Sequence, residues 1–575
     1  MGGVVGVIAG AVALGVAEFF AALTGGAQAS PVIAVGSAGI TLTPEWLKEF
    51  AIRHFGTNDK LVLLVGLGVG VAALAIVTGI VARWRFIPGL VVFSAFGVLG
   101  AVAAVTRPEG GWTTAIPSIA GCVAGLAALT VLVRAMAHAD LANQPAITKP
   151  HARPAGAAQP GAAQPGAAQP GAAQPGPGQS GPGQSGPGQS GPGQSGPGQS
   201  GTSHPGAAQS GAAQPGAAQP GTGRRELLLA GAGTAVVAGV TGLGGRLLLN
   251  RKNVGAARKA VRLPRPASPA KAVPAGAQIR VPGMTPFVTP NPDFYRVDTA
   301  LTLPQVSPDD WTLRIHGMVG RPVELSFDEL LRQPMLERDI TLSCVSNQVG
   351  GRYAGNARWL GASLAALLRR AGVRSGADQI LSRSSDGFTV STPIETIMDG
   401  RDALLAVGMN GEALPVAHGF PARMVVPGLY GYVSATKWVV DLKVTRFATD
   451  KAYWTRRDYA DHAPIKTLSR IDVPRSFARV KAGRVAVAGT AWAQRRGIDL
   501  VEVRVDGGPW RRAQLAPVPG LDTWRQWVLE WDAAPGSHRL EVRATDGTGT
   551  LQPEKRVPIV PDGATGWHSV VVTVT

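Results

Sequence analysis

Cys344 lies in Thr341-Leu-Ser-Cys-Val-Ser-Asn-Gln-Val-Gly-Gly351, where an alternating apolar run stops and polar residues take over. A cysteine in a β core is most often a small hydrophobe with no chemistry. Here Ser346, Asn347, Gln348 and the pair Gly350-Gly351 read as a strand entering a ligand-binding loop. A thiolate at such a place suits a sulfur-rich metal centre. The other cysteine, Cys122, sits in an apolar stretch. Two cysteines exclude an iron–sulfur cluster held by four thiolates. A disulfide between a thiol inside lipid and one in a soluble domain is not expected, so Cys344 is a lone thiol, either core or functional.

Two further groups stand apart from plain loop composition. His418-Gly-Phe-Pro-Ala-Arg423, followed by Lys437-Trp438, offers a guanidinium fork and an imidazole, which suit a phosphate; the alternative is a solvated loop. Thr289-Pro-Asn-Pro-Asp-Phe-Tyr-Arg296 is a Pro-rich turn leading to an aromatic pair and an arginine. It suits stacking on a flat heterocycle; the alternative is an aromatic plug.

The elements that must position these residues divide the chain. Around Cys344, segments such as Trp311-Thr-Leu-Arg-Ile and Asp339-Ile-Thr-Leu-Ser alternate as strands, while 326–331 and 360–371 read as helices. This predicts an α+β domain over 281–460. From 465 to 575 short alternating strands recur between Gly/Asp turns, predicting an immunoglobulin-like β-sandwich. Towards the N-terminus, apolar runs at 3–24 (interrupted by Glu18), 61–82, 86–105 and 113–135 are each near bilayer-spanning length, so residues 1–140 read as a four-helix transmembrane region. Residues 154–223 repeat GAAQP and GPGQS, with an end-to-end distance of about 40–50 Å expected of a flexible coil, and 141–223 as a whole reads as a disordered linker. A fifth transmembrane anchor is expected over 224–250, then a basic juxtamembrane segment over 251–280.

The formal net charge is +18, yet the basic residues form no nucleic-acid reading motif, so nucleic acid is set aside. The acid-free cluster Arg251, Lys252, Arg258, Lys259, Arg262, Arg265, Lys271 and Arg280 reads as contact with lipid head groups. Gly223-Arg224-Arg225-Glu226-Leu227-Leu228 resembles a twin-arginine export signal; an ordinary anchor that starts with two positive charges is the alternative. The positive-inside rule applied to the basic cluster favours a cytoplasmic C-terminal part, whereas the count of preceding helices places it outside. The helix count is followed here: a multi-pass protein of the cell membrane with its catalytic domain on the extracytoplasmic face. None of the nine histidines lies mid-span, so no bis-His haem is expected.

Taken in order, Asn291…Phe294-Tyr295-Arg296, Leu342-Ser-Cys344…Asn347, Asn356-Ala-Arg-Trp359…Gly361 and Met409-Asn-Gly-Glu…His418-Gly-Phe-Pro…Arg423…Lys437-Trp438 resemble the molybdopterin-binding domain of the sulfite oxidase family. Val505-Asp-Gly-Gly, Trp510, Arg543-Ala-Thr-Asp546 and Gly566-Trp567-His568 resemble that family's dimerisation domain. The resemblance implies a molybdenum–molybdopterin cofactor with Cys344 as metal ligand and catalytic residue. It also implies that His418, Arg423 and Lys437 contact the pterin and its phosphate, and that Asn291, Tyr295, Arg296 and Asn347 complete the cofactor set. A homodimer through the C-terminal domain is implied as well.

The departures bear on substrate. Gln348 and Val349 stand where sulfite-oxidising members carry an arginine; Leu405-Ala-Val407-Gly408 replaces a tyrosine-bearing stretch; and Asp298 replaces the family's usual histidine near Arg296. Loss of a cationic donor weakens binding of a small dianion. The expected activity is therefore two-electron oxygen-atom transfer on a small-molecule substrate, with an unidentified electron-transfer partner. Reduction of an S- or N-oxide such as methionine sulfoxide is the alternative. A membrane-tethered scaffold without turnover is the rival from another class.

Overall fold

The computed structural model describes residues 1–24, 26–44, 47, 50, 54–55, 59–107, 111–142, 222–251 and 253–575. The linker expected over 141–223 lies, apart from its ends, outside these residues. The N-terminal helices are α1 (Gly2–Thr24), α2 (Pro31–Leu42), α3 (Asp59–Trp84), α4 (Phe86–Val105), α5 (Ile116–Ala142) and α6 (Thr222–Arg251). Among the described residues five helices, all but α2, are long and apolar enough to cross a membrane. At 12 residues α2 is too short to span, the length of a re-entrant or interfacial segment. It was not expected from the sequence, because an apolar run of that length gives no spanning signal.

Helix α1 is the hub, packed against α3, α5 and α6. Small residues allow the approach: a Cβ on Gly6 would overlap the Ala75 carbonyl of α3, the close backbone packing typical of apolar bundles. Glu18 of α1 accepts a hydrogen bond from the Ser30 hydroxyl at the start of α2.

The α+β domain begins earlier than the sequence indicates. Helix α7 (Gly255–Ala260) and the extended segment after it lie on the α+β domain. Arg258 donates to the carbonyls of Ala413 and Leu414 and pairs with Glu412 at 2.9 Å, so this member of the basic cluster faces protein, not a lipid surface. Ser268 bridges to Leu336, and Ala277 is buried in the core. The segment expected to be juxtamembrane over 251–280 is therefore largely a strap on the domain. Its charges are spread along an extended chain, which a composition-based reading takes for a tether.

The domain holds two sheets. Strands β1 (Thr312–Gly317), β2 (Val323–Ser326), β3 (Met335–Ser343), β4 (Ala354–Ser363), β5 (Gln379–Ser384), β6 (Thr389–Pro393), β7 (Leu404–Met409), β8 (Glu412–Ala413), β9 (Arg423–Val425) and β10 (Val439–Thr445) order as β2-β1-β10-β5-β6 and β3-β4-β7-β8, with β9 on β7. Helices α8 (Phe327–Leu331), α9 (Leu364–Ala371) and α10 (Ile394–Met398) pack around them. The expected helix at 326–331 starts at a Ser326–Glu329 capping box. The expected helix at 360–371 starts late, because 360–363 extend β4 and Ser363 caps α9.

C-terminal residues form two more sheets, β11 (Leu468–Val473), β13 (Gly483–Trp492), β17 (Arg525–Ala533) and β16 (Gln514–Leu515) against β12 (Arg479–Val480), β19 (His568–Val574), β18 (Gly536–Asp546), β14 (Ile498–Val505) and β15 (Arg511–Arg512). One apolar cluster containing Val487, Trp527, Val501 and Val542 joins the two layers. Trp524 is buried at the junction with the α+β domain, its indole N–H donating to Phe287 at 2.8 Å. Trp527 and Trp531 are buried too, which leaves Trp510 and Trp567 nearer the surface, stacked with Arg504 and Arg543.

Candidate active site

Cys344 follows the last residue of β3, and the hairpin 344–353 is tied at its neck. The Cys344 amide donates to Tyr353 O at 2.8 Å, and Asn347, itself buried, accepts from the Tyr353 amide at 2.8 Å. Cys344 is half-buried at the wall of a cavity of about 650 Å³. Burial pushes its thiol above the ordinary value, opposed by hydrogen bonds from Ser346 and by the Lys437 charge. Among the described residues no three His, Cys, Asp or Glu side chains converge, so at this cavity the chain offers a metal one thiol.

The same cavity is lined by Tyr295, His418, Arg423 and Lys437, so five of the eight residues singled out from the sequence come together. His418 donates from Nε2 to the Asn291 carbonyl at 3.1 Å. Burial, then the Arg423 charge, holds it down to about 4, so at neutral pH its other nitrogen is a lone-pair acceptor. Arg423 is buried over the Trp359 ring and donates to the carbonyls of His418, Ala435 and Met424. Burial pulls its pKa down to about 10. Gly419, at φ +109°, lets the chain turn here; a Cβ would meet Lys437 Cα at 3.1 Å. Lys437 is aimed by Trp438, a buried residue at φ +50° whose indole donates to Val416 O at 2.9 Å. That left-handed geometry is costly for a bulky side chain, and the surrounding packing holds it in place.

Asn291, Arg296 and Asn347 do not line the cavity. Asn291 donates to Met409 O and Glu412 and accepts from Asn410 at 2.8 Å. Asn410 and Gly411, at φ +52° and +84°, form the two-residue turn joining β7 and β8, a place where such pairs are favoured. Arg296 pairs with Asp298 at 2.8 Å. Asp298 is the residue whose weight the sequence understated. It also holds Lys437 at 2.8 Å and Lys60 at 2.5 Å. Burial alone would raise its pKa, but Lys437, Lys60 and Arg296 hold it well below the usual carboxylate range. The sequence signal for it was the departure from the family histidine. Nothing in the sequence pointed to Lys60, Arg352 or the aromatic wall of Phe388, Tyr453, Trp454 and Tyr459, all of which also line the cavity.

The donor set fits an anionic, hydrogen-bonding cofactor. Arg423 is a buried cation that, among the described residues, donates hydrogen bonds to carbonyls alone, and a buried charge without an opposite charge is costly. Ser384 lines the cavity, and its buried hydroxyl has no hydrogen-bond partner among the described residues. A phosphate-bearing heterocycle supplies what both lack.

Comparison with known proteins agrees with this geometry. Residues 300–454 match the family model described as oxidoreductase molybdopterin binding domain. Sulfite oxidase of Gallus gallus is 31% identical over 325 residues, which cover 48% of this chain and 70% of that protein. Mitochondrial sulfite oxidase of Homo sapiens is 30% identical over 348 residues, covering 50% of this chain. Of that human protein's own length 62% is spanned. The crystal structure of the sulfane dehydrogenase SoxCD from Paracoccus pantotrophus aligns at a TM-score of 0.43 with 27% identity, covering 50% of this chain and 83% of that one. The chain belongs to the sulfite oxidase family of molybdopterin oxidoreductases.

Proposed function

We propose that this chain is a membrane-anchored molybdenum–molybdopterin oxidoreductase that performs two-electron oxygen-atom transfer on a small substrate. One observation carries the reading: Cys344 opens on the same cavity as a buried arginine that lacks a carboxylate partner. Cys344 would bind the metal as thiolate. Arg423, with Lys437 and the bare nitrogen of His418, would hold the pterin and its phosphate. When bound, the cofactor supplies a metal that cycles by two electrons. The chain orients it, keeps water off its buried edge, and holds protons at fixed atoms. The Tyr295 phenol, raised by burial, then by Cys344, stays a donor at neutral pH.

Metal and pterin analysis of the full-length protein tests this. Molybdenum in fixed ratio to the chain is expected, and a Cys344→Ala variant should stay folded but lose activity. Full molybdenum content and activity in that variant would remove the metal-ligand assignment. A scaffold without turnover would hold no molybdenum in either form.

A second reading, reduction of an S- or N-oxide, is favoured by the aromatic wall. Phe388, Tyr453, Trp454 and Tyr459 form a run of ring contacts with centroids 5.0–5.4 Å apart. Such a surface suits an uncharged substrate with an apolar body. Arg352, eight residues after Cys344 and also lining the cavity, keeps an anion such as sulfite in contention. Reduction of an artificial acceptor by sulfite separates the two.

The membrane reading is supported by rows of exposed apolar side chains on α3 (Val62, Val65, Val69) and α6 (Leu228, Val236, Val240). The sandwich of two sheets is consistent with an immunoglobulin-like dimerisation domain. A homodimer is expected of the full-length protein by light scattering, and a monomer at high concentration would count against it.

A further inference from the structure

We infer that Lys60, carried by the N-terminal helix bundle, is a positioning residue of the cofactor pocket, and that the bundle's end closes one wall of it. The inference rests on the molybdopterin reading for the identity of the ligand. The geometry that motivates it is independent of that reading.

Three contacts join the bundle to the segment after Arg296. Lys60, in the first turn of α3, sets its ammonium 2.5 Å from Asp298 Oδ1 and 2.7 Å from the Ala300 carbonyl. Gln28 donates to Thr302 at 3.3 Å. Leu301 is buried beside Gly36 of α2. Ile40, Thr43, Leu47 and Leu63 face the same cavity as Cys344. Without the bundle the cavity would lack that wall.

The charge arrangement gives Lys60 a role beyond adhesion. An ammonium in the first turn of a helix opposes the helix dipole, so its own helix does not favour it there; the buried Asp298 carboxylate does. Asp298 presents Oδ1 to Lys60 and Oδ2 to Lys437, while Arg296 reaches both oxygens, Oδ2 at 2.8 Å and Oδ1 at 3.4 Å. A single carboxylate shared by three cations cannot fully neutralise each of them, so Lys437 keeps charge to offer an anion in the cavity. If Lys60 is removed, Asp298 neutralises Lys437 more fully. The departure from the family pattern fits this scheme: a neutral histidine at 298 could not hold two ammonium groups, whereas an aspartate does.

The test uses the full-length protein in nanodiscs, prepared without cofactor, in a Cys122→Ser background so that Cys344 is the reporting thiol. Lys60→Met should let a bulky charged maleimide alkylate Cys344 roughly tenfold faster, the factor expected for one charge-assisted hydrogen bond. Lys60→Arg should label at the parental rate. Equal rates in all three would overturn the inference. Because Lys60→Met can unseat the bundle, a second measurement uses the unsubstituted chain. Zero-length carbodiimide coupling should yield a Lys60–Asp298 isopeptide found by peptide mass spectrometry, and its absence would also overturn the inference. With cofactor present, Lys60→Met should retain several-fold less pterin after dialysis than Lys60→Arg, and equal retention would defeat the positioning role. Labelling and coupling are read without cofactor, so a failure of the Cys344 assignment, seen by metal analysis, is distinguishable from a failure of this one.

Discussion

The imidazole of His568, on the first residue of β19, rests against Gly350 in the Cys344 hairpin. A Cβ added at Gly350, which sits at φ +78°, would run into the ring. The ring is fixed from behind: the Ile471 amide donates to its Nδ1 at 3.0 Å. The C-terminal sandwich thereby sets the position of the loop that bears the candidate metal ligand.

Gly350→Ala should accordingly lower molybdenum content more than it lowers secondary structure. The left-handed backbone costs a non-glycine residue about 1–2 kcal/mol, and the overlap with His568 adds to it. Shortening the ring in Gly350→Ala/His568→Ala should restore part of the metal content, measured per mole of folded protein. If the double variant is as poor as the single one, the contact does not set the loop.

Acid should destabilise the protein between pH 6.5 and 4. Burial, then the charges of Arg556 and Arg470, holds His568 down to about 4 from an ordinary 6.5. The unfolded chain takes up the proton first as pH falls, so stability is lost across that window and is complete above it. The full effect of one such histidine is about 3 kcal/mol. His418 is held down to a similar value and adds to the slope. In His568→Gln the pH dependence of the thermal midpoint over this window should flatten relative to the parent. An unchanged slope would show that His568 already titrates normally.

Arg423→Met should give opposite results with and without cofactor. In cofactor-free protein the buried guanidinium is a charge without a carboxylate, so an apolar replacement should be neutral or raise the melting temperature. In the cofactor-loaded preparation the same change should abolish pterin retention, measured by fluorescence of the oxidised pterin. Loss of stability in both states would mean that Arg423 serves the fold and not a ligand.

What the sequence displayed were local patterns. Alternation marked β1, β3, β14, β18 and β19 to within a few residues; burial alternates along β1 and β19, whereas the last four residues of β3 are all buried. The spacing of Cys344, His418, Arg423 and Lys437 was legible because each belongs to a recognisable motif, although Arg423 opens β9 and not a turn. Asn291 and Asn347 were found, but their side chains hold turns and do not face the cavity, a distinction that motif position does not carry. The Lys60–Asp298 pair was not legible, because it joins residues 238 positions apart, and Lys60 merely borders an apolar run with no motif around it. The strap after α7 was hidden for a related reason: an extended chain paired to a domain edge has the composition of a tether.

The last prediction concerns which side of the membrane holds the enzyme. The contacts of Gln28 and Lys60 place the enzyme part at the end of the bundle that α1 reaches and α3 leaves, while Arg83 pairs with Asp140 at the other end. Arg225 lies in the first turns of α6, on the side from which α6 would cross. The positive-inside rule assigns the Arg83 and Arg225 ends to the cytoplasm, and the enzyme to the outside. One argument against this, the basic cluster after α6, is weakened by Arg258, which is spent on Ala413, Leu414 and Glu412. A cofactor assembled in the cytoplasm then requires export of a folded domain, and Arg224 and Arg225 would act as the export signal. Arg224→Lys with Arg225→Lys keeps the charge but not the guanidinium forks. It should leave the first four helices inserted and strand the enzyme inside, protected from protease added to cells stripped of their wall, while the parent is digested. If the double variant is digested as readily as the parent, the pair is not an export signal. If neither is digested, the enzyme faces the cytoplasm, and the remaining basic residues after α6 were the better guide to its topology.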